Sequence, residues 1–229
     1  MKRDYLEQII AARASKRPIA VATRLADGAQ SVCDGNTCGG AVDLSAEQIA
    51  EVRALLIAGR SAALASSNGE IFVRSYAPAP KMVIVGAVHI AQFLAPMAAL
   101  AGFEVTVVDP RRAFATQARF PGVNMVTEWP GPALAKVGLD EHTAVVTLTH
   151  DPKLDDPALQ AALKSPVFYI GALGSKRTHA KRIERLREHG LAELASRIHA
   201  PVGLDLGGRA AAEIAVSALA EVIQERYRH

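Results

Sequence analysis
Aromatic residues are few, with six Phe, four Tyr and one Trp among 229 residues. Charge of one sign is also scarce, since 26 Lys and Arg face 23 Asp and Glu and leave a formal +3. Nucleic-acid platforms stack bases on rings along a strongly basic groove, so this composition predicts no nucleic-acid partner. No run of about 18 uncharged apolar residues occurs, and no membrane span is expected. The opening Met1-Lys2-Arg3-Asp4-Tyr5-Leu6-Glu7 lacks the apolar core of a signal peptide. Cys33 and Cys38 are the only cysteines. Two do not make a disulfide framework, so the expectation is a pair of reduced thiols in a cytoplasmic compartment. His-x-His, His-Glu-x-x-His and Cys-x-x-Cys spacings are missing, which disfavours a metal held by the protein alone. No Ser-His-Asp or Lys-centred nucleophile can be assigned, which lowers the odds of covalent catalysis. Internal repeats and low-complexity tracts are lacking as well.

What is present is hydrophobic patterning; half of the residues are apolar, enough for a sizeable core. The chain is organised around residues 81–112. Met82 to Val85 is a short β-branched run, the next stretch repeats apolar residues at helical spacing, and Glu104 to Asp109 alternates back into a strand. That pattern predicts a βαβ unit with a right-handed crossover onto a parallel sheet. In the first turn the three dinucleotide-binding glycine positions read Gly86, Val88 and Ala91. Val88 puts a branched side chain where a pyrophosphate would lie closest, so the pattern supports the fold more than NAD. Asp109 stands where an acid would bond a ribose 2′-OH, and this motivates an NAD(P)-binding oxidoreductase as the alternative function.

Before this unit, residues 4–14 place Tyr5, Leu6, Ile9 and Ile10 on one helical stripe, and Ile19 to Leu25 reads as a strand with Ile19, Val21, Thr23 and Leu25 on one face. Residues 27–43 read as a glycine-rich loop holding both cysteines. Reactive thiolates there suit sulfur handling or a soft metal, and two incidental thiols fit equally. Ser45 and Gln48 form a capping box, and Gly59 sits at the matching helix end. Ala62 to Ser66 and Ile71 to Tyr76 flank Asn68-Gly69, the preferred type I′ turn pair of a hairpin. Ala77-Pro78-Ala79-Pro80 then reads as a linker. After Asp109, strands are expected at 124–128, 144–149 and 167–170. A basic helix is expected from Lys176 to His189, and a last helix from Ala210 to Tyr227 with Ile214, Ala218, Leu219, Val222 and Ile223 buried.

Ligands in open α/β sheets bind outside the carboxyl ends of the strands. Four turns fall there: Gly86 to His89, Thr149-His150-Asp151, Gly171 to Arg177, and Gly203 to Arg209. In the third, Ser175 caps a helix whose first N–H groups join Lys176 and Arg177 in an anion site, or else form a capped helix with a solvated basic end. In the fourth, Asp205 and backbone donors complete the pocket, or the glycines serve helix-to-sheet packing. His89 and His150 suit pocket lining through one donor and one acceptor, or cap strand ends. The basic helix also suits docking to an acidic partner through Lys181, Arg182 and Arg185.

The order Gly86-x-x-His89, Val107-Val108-Asp109-x-Arg111, Thr149-His150-Asp151, Tyr169-Ile170-Gly171-x-Leu173-Gly174-Ser175-Lys176-Arg177 and Pro201-x-Gly203-Leu204-Asp205-Leu206-Gly207 resembles the XdhC/CoxI family over about residues 80–226. That family comprises accessory proteins of xanthine dehydrogenase and carbon monoxide dehydrogenase maturation. The resemblance implies an α/β fold with a Rossmann-like doubly wound parallel sheet at 80–229 and a small, shortened amino-terminal α+β domain at 1–77. It implies a protein that binds molybdenum cofactor in its molybdopterin form, supports its sulfuration and hands it to a molybdenum hydroxylase client without turning over a substrate. A cysteine desulfurase partner and a homodimer are compatible with it. By position it carries over Gly86, His89, Asp109, Arg111, Thr149, His150, Gly171, Gly174, Ser175, Lys176, Gly203, Asp205 and Gly207 as cofactor-binding residues. Cys38 and Cys33 are then candidates to meet the metal or its terminal sulfur.

Overall fold
A computed structural model describes residues 2–67 and 69–228. The chain divides into two compact units that meet in sequence between Ala79 and Pro80.

The first unit contains helices α1 (Arg3–Ala14) and α2 (Ala46–Ala58) and strands β1 (Ile19–Arg24), β2 (Gln30–Cys33), β3 (Cys38–Gly40), β4 (Ala62–Leu64) and β5 (Ile71–Tyr76). The sheet is antiparallel in the order β3-β2-β1-β5-β4. Its central strand β1 is apolar on both faces: Ile19 and Val21 pack with Ile9 and Ala12 of α1, while Ala20 and Ala22 pack with Val52 and Leu56 of α2. Ile19 and Val21 share a face as expected, and the opposite face is buried as well because two helices rather than one cover this sheet. Leu25 falls outside the strand and is exposed. On α1 the buried stripe is Tyr5, Ile9 and Ala12, at i, i+4 and i+7, and Leu6 and Ile10 face outward.

The Ser45–Gln48 capping box and the left-handed Gly59 cap of α2 are both formed. Residues 27–43 are not a plain loop, for they carry the β2–β3 hairpin. The turn is held by the Asp34 carboxylate, which accepts from the N–H groups of Asn36 and Thr37. Ser31 and Val42 bond reciprocally beside it, the Ser31 hydroxyl donating to Val42 O and accepting from Val42 N at 2.8 Å each. These small polar residues hide the strand alternation from the sequence. Cys33 and Cys38 are cross-strand partners joined in a disulfide. The expectation of two reduced thiols, and with it Cys33 and Cys38 as metal ligands, is corrected on that ground: antiparallel pairing sets the two side chains opposite one another. The type I′ turn pair includes Asn68, which lies outside the described residues.

The second unit is built on six parallel strands: β6 (Lys81–Val85), β7 (Glu104–Val108), β8 (Asn124–Val126), β9 (Thr143–Thr147), β10 (Tyr169–Ala172) and β11 (Ile198–His199), ordered β11-β10-β9-β6-β7-β8. Its helices are α3 (His89–Leu100), α4 (Pro130–Val137), α5 (Pro152–Leu163), α6 (Lys176–Glu188) and α7 (Ala211–Arg226). Successive strand residues face opposite sides. Met82 and Ile84 of β6 join Ala91, Leu94, Ala95 and Ala98 of α3 and Ala215, Ala218 and Val222 of α7. Val83 and Val85 join Ala133 and Leu134 of α4, Ala158, Leu159 and Ala162 of α5, and Leu186 of α6. Each fully buried Val or Leu contributes about 1.5–3 kcal/mol to this two-sided core. Alanines on α3 and α7 let the two helices approach closely over the sheet.

Several strand ends differ from expectation, β9 among them, which stops at Thr147. β8 stops at Val126, β10 starts two residues late and runs through Gly171 and Ala172, and the short β11 has too little apolar sequence to announce itself. The order of strands reverses between β6 and β9, so a crevice opens beyond their carboxyl ends. No helix among the described residues is long and apolar enough to cross a membrane.

Candidate functional site
The residues that follow β6 are locked by the protein itself. Gly86 N donates to Val108 O at 2.9 Å, and Ala87 N donates to Asp109 Oδ2 at 2.8 Å. Gly86 has φ +111°, and a Cβ there would collide with Thr149 Cγ2, so glycine is required for the β6 and β9 turns to touch. Asp109 is fully buried. Its carboxylate also accepts from Arg111 N and Nε at 2.9 Å and from Arg111 Nη2 at 2.7 Å. Burial alone would raise its pKa, but the Arg111 guanidinium and the two backbone N–H groups outweigh that and hold it below the ordinary carboxylate value. Asp109 and the turn amides that a dinucleotide would need are thus engaged in the fold. Arg119 closes the same turn from the other side by donating to Ala87 O at 2.9 Å. His89 is exposed at the start of α3, its Nδ1 3.2 Å from Gln92 Oε1 and its ring edge-on to Phe93.

The turns after β9, β10 and β11 converge. A cavity of about 610 Å³ is lined by His150, Gly174, Lys176, Gly203, Asp205 and Gly207, with apolar floor from Leu173, Val202, Leu204 and Ile214. That volume lies in the range of small-molecule pockets. His150 holds φ +60°, a left-handed conformation uncommon outside glycine, and strain of this kind concentrates at functional sites. Thr149 underpins it, with Oγ1 donating to Asp155 Oδ1 at 2.7 Å and accepting from Asp151 N at 3.1 Å. Gly174 has φ +132°. Ser175 caps α6 by accepting from Thr178 N at 3.2 Å. Gly171 lies within β10, where a Cβ would meet Val202 Cγ2 at 2.6 Å. Of the residues singled out from sequence, His150, Gly174, Lys176, Gly203, Asp205 and Gly207 share this cavity. Thr149 and Gly171 brace turns that line it, whereas Gly86, Asp109 and Arg111 belong to the clasped turn after β6, none of whose residues lines it. His89 and Ser175 stand at helix starts on the same sheet edge, outside its lining, and Cys33 and Cys38 belong to the other unit.

The loop from Gly203 to Arg209 is fixed by two glutamates that sequence reasoning passed over. Glu213 Oε2 accepts from Arg209 N at 2.8 Å and Ala210 N at 2.9 Å, so the free donors expected at the start of α7 are already occupied. Glu221 Oε2 accepts from Gly203 N at 2.7 Å and from the Tyr169 hydroxyl at 2.5 Å, while Oε1 lies 3.0 Å from His199 Nδ1. The Glu221 hydrogen bond, ahead of the opposing burial, raises the His199 pKa. Burial opposes ionisation of Glu221, but bonds from His199, Tyr169 and Gly203 prevail and lower its pKa. Stability from His199 is therefore complete below about 6.5 and lost as pH rises through its raised folded value. Stability from Glu221 is present above about 4.3 and lost as pH falls through its lowered folded value. The melting-temperature gap between the protein and a Glu221→Gln variant is expected to be widest near pH 5–6.5 and to narrow on both sides. A gap independent of pH would show that the pair is not ionised.

Of the three side chains through which the basic helix would dock an acidic partner, two are already engaged in the fold. Arg182 is 1% exposed, and Arg185 bonds Asp156 through Nε at 2.5 Å and Nη2 at 3.0 Å. The signal was available in the helical spacing, since Arg182 stands four residues before the buried Leu186.

Residues 82–222 match the model of the XdhC Rossmann domain. A protein of Bacillus subtilis (strain 168) described as a probable xanthine dehydrogenase subunit is 35% identical over 69% of this chain and 46% of its own length. The molybdenum cofactor insertion chaperone PaoD of Escherichia coli (strain K12) is 36% identical over 68% of this chain and 43% of its own. The uncharacterized protein YqeB of the same organism is 28% identical over 98% of this chain and 36% of its own. The chain thus spans less than half the length of these relatives. A crystal structure from Bacillus halodurans, described as a xanthine dehydrogenase (BH1974), aligns with a TM-score of 0.69 and 21% identity over 97% of this chain and 64% of that one, a likeness of fold.

Proposed function
The chain belongs to the XdhC Rossmann-domain family, and we propose that it binds molybdenum cofactor and delivers it to a molybdenum hydroxylase of the xanthine dehydrogenase or carbon monoxide dehydrogenase type. The observation that supports this reading is the single cavity shared by His150, Gly174, Lys176, Gly203, Asp205 and Gly207 at the carboxyl edge of the sheet. A pterin presents both donor and acceptor edges on a flat ring. The Asp205 carboxylate offers acceptors to such a ring, Lys176 offers a positive charge to anionic groups of the cargo, and the glycines allow close approach of backbone. The 36% identity to an insertion chaperone supports the same cargo. In this reading the protein also supports sulfuration of the cofactor. The sulfur comes from an outside donor such as a cysteine desulfurase, because Cys33 and Cys38 are joined to each other.

Purified from a host that makes the cofactor, the protein is expected to release pterin and molybdenum on denaturation. Asp205→Ala and Lys176→Glu variants with unchanged melting temperatures are expected to carry several-fold less. If neither pterin nor molybdenum accompanies the folded protein, and neither binds when added, the carrier reading fails. Fluorescence titration with NADH that gave micromolar binding instead would favour the oxidoreductase alternative.

A further inference from the structure
A second cavity, of about 310 Å³, lies beside the first. It is lined from the start of α5 by Pro152 and Asp155, from α6 by Arg177, Thr178, Lys181, Arg182 and Arg185, and by His150, whose side chain also lines the glycine-rich cavity. Four cationic side chains face one carboxylate there, and Arg185 is already shared with Asp156.

The decisive group is Arg182. Its guanidinium donates one bond, from Nη2 to Leu173 O at 3.0 Å. Nε and Nη1 are buried and have no acceptor among the described residues, and the buried Asp155 Oδ2 has no donor. Leaving a buried charged donor unpaired costs more than an ordinary missing hydrogen bond. A fold keeps such a cost where a ligand removes it. Nε and Nη1 point to different sides of the guanidinium, so each offers a single charged N–H to a phosphate oxygen, and Lys181 and Arg177 add charge at the mouth.

We propose that this second cavity is a binding site for a phosphate group carried by a small molecule whose remaining part enters the glycine-rich cavity past His150. The phosphate site stands on the unpaired Arg182 donors alone. Only the identity of the molecule that carries the phosphate rests on the cofactor reading above. The assignment also relocates the charge-bearing role of α6. Of the three side chains that the alternative of docking to an acidic partner would use, Arg182 is buried in a wall and Arg185 is bonded to Asp156.

Calorimetric titration of the full chain at low ionic strength with inorganic phosphate and with pyrophosphate tests the site without any cofactor. Saturable binding of phosphate is expected. Arg182→Met, which keeps the buried volume but removes the donors, is expected to weaken it at least about tenfold, equivalent to about 1.4 kcal/mol. Arg177→Gln with Lys181→Gln, both on exposed positions, is expected to do the same and serves if Arg182→Met does not fold. Lys164→Gln, an exposed cation that lines neither cavity, is expected to leave phosphate affinity unchanged. Pyrophosphate binding more tightly than phosphate would indicate a diphosphate-bearing ligand, and equal affinities a monophosphate; both outcomes support the site. Absence of saturable binding, affinity unaltered in the folded variants, or binding of polyglutamate with none of phosphate would overturn it. Phosphate binding without retained pterin would uphold this site and sink the cofactor reading, and retained pterin with phosphate affinity insensitive to Arg182 would do the reverse.

Discussion

Asp109→Ala is expected to remove on the order of 3 kcal/mol of folding stability, read as a lower urea midpoint at unchanged slope. The side chain is fully buried and takes bonds from Ala87 N, Arg111 N and two nitrogens of Arg111. Its removal leaves two backbone N–H groups and a guanidinium without their acceptor, although Arg111, more than a third exposed, can turn partly to water. The cost is therefore placed at the lower end for a broken buried pair. Because the folded pKa of Asp109 lies below its ordinary 3.8, its contribution is present above that value and lost as pH falls through the folded one. The gap between protein and variant is expected to close in acid. A variant within about 0.5 kcal/mol of the parent at neutral pH would show that Asp109 is not the clasp of the β6 turn, and would free it for a ligand.

That clasp shows what a sequence conveys and what it withholds. The βαβ unit around Gly86 was legible because its apolar periods switch from 2 to 3.6 and back, and two-sided burial of β6 leaves a continuous β-branched run. The position of Asp109 at the strand end was equally legible. Its partners were not, since whether a carboxylate faces a ribose or folds back onto Arg111 depends on side-chain packing that spacing does not encode. The β2–β3 hairpin escaped because Ser31, Cys33, Gly39 and Gly40 give no apolar alternation, and its pairing is what brings the cysteines together. Around the cavity, the glycine-rich turns announced themselves through residue type. Glu221, which fixes Gly203 from eighteen residues away, and Arg182, which an average helical wheel assigns to a basic surface, became visible only once the strands had an order.

The same distinction between glycines that need to be glycine and glycines that merely fill a turn sets the second large effect. Gly203 has φ +97°, and a Cβ there would collide with Ser217 Oγ and stand 2.9 Å from Ala218 N, both on the helix that backs the cavity. Gly207 has φ +77° but open space around it. Gly203→Ala therefore carries both a backbone penalty and a steric one, on the order of 3 kcal/mol together, whereas Gly207→Ala carries only the backbone penalty of about 1–2 kcal/mol. In melting temperature the first is expected to fall by roughly 6–12 °C and the second by about 2–8 °C. The chemical consequence separates them further. Any relief of the Gly203 clash has to move the loop away from α7 and break the 2.7 Å bond to Glu221, which displaces Asp205 and reshapes the cavity wall. Cofactor content of folded Gly203→Ala protein is expected to drop to background while Gly207→Ala retains most of it. Equal melting temperatures in the two variants, or full cofactor content in Gly203→Ala, would mean that contact between this loop and α7 does not shape the binding cavity.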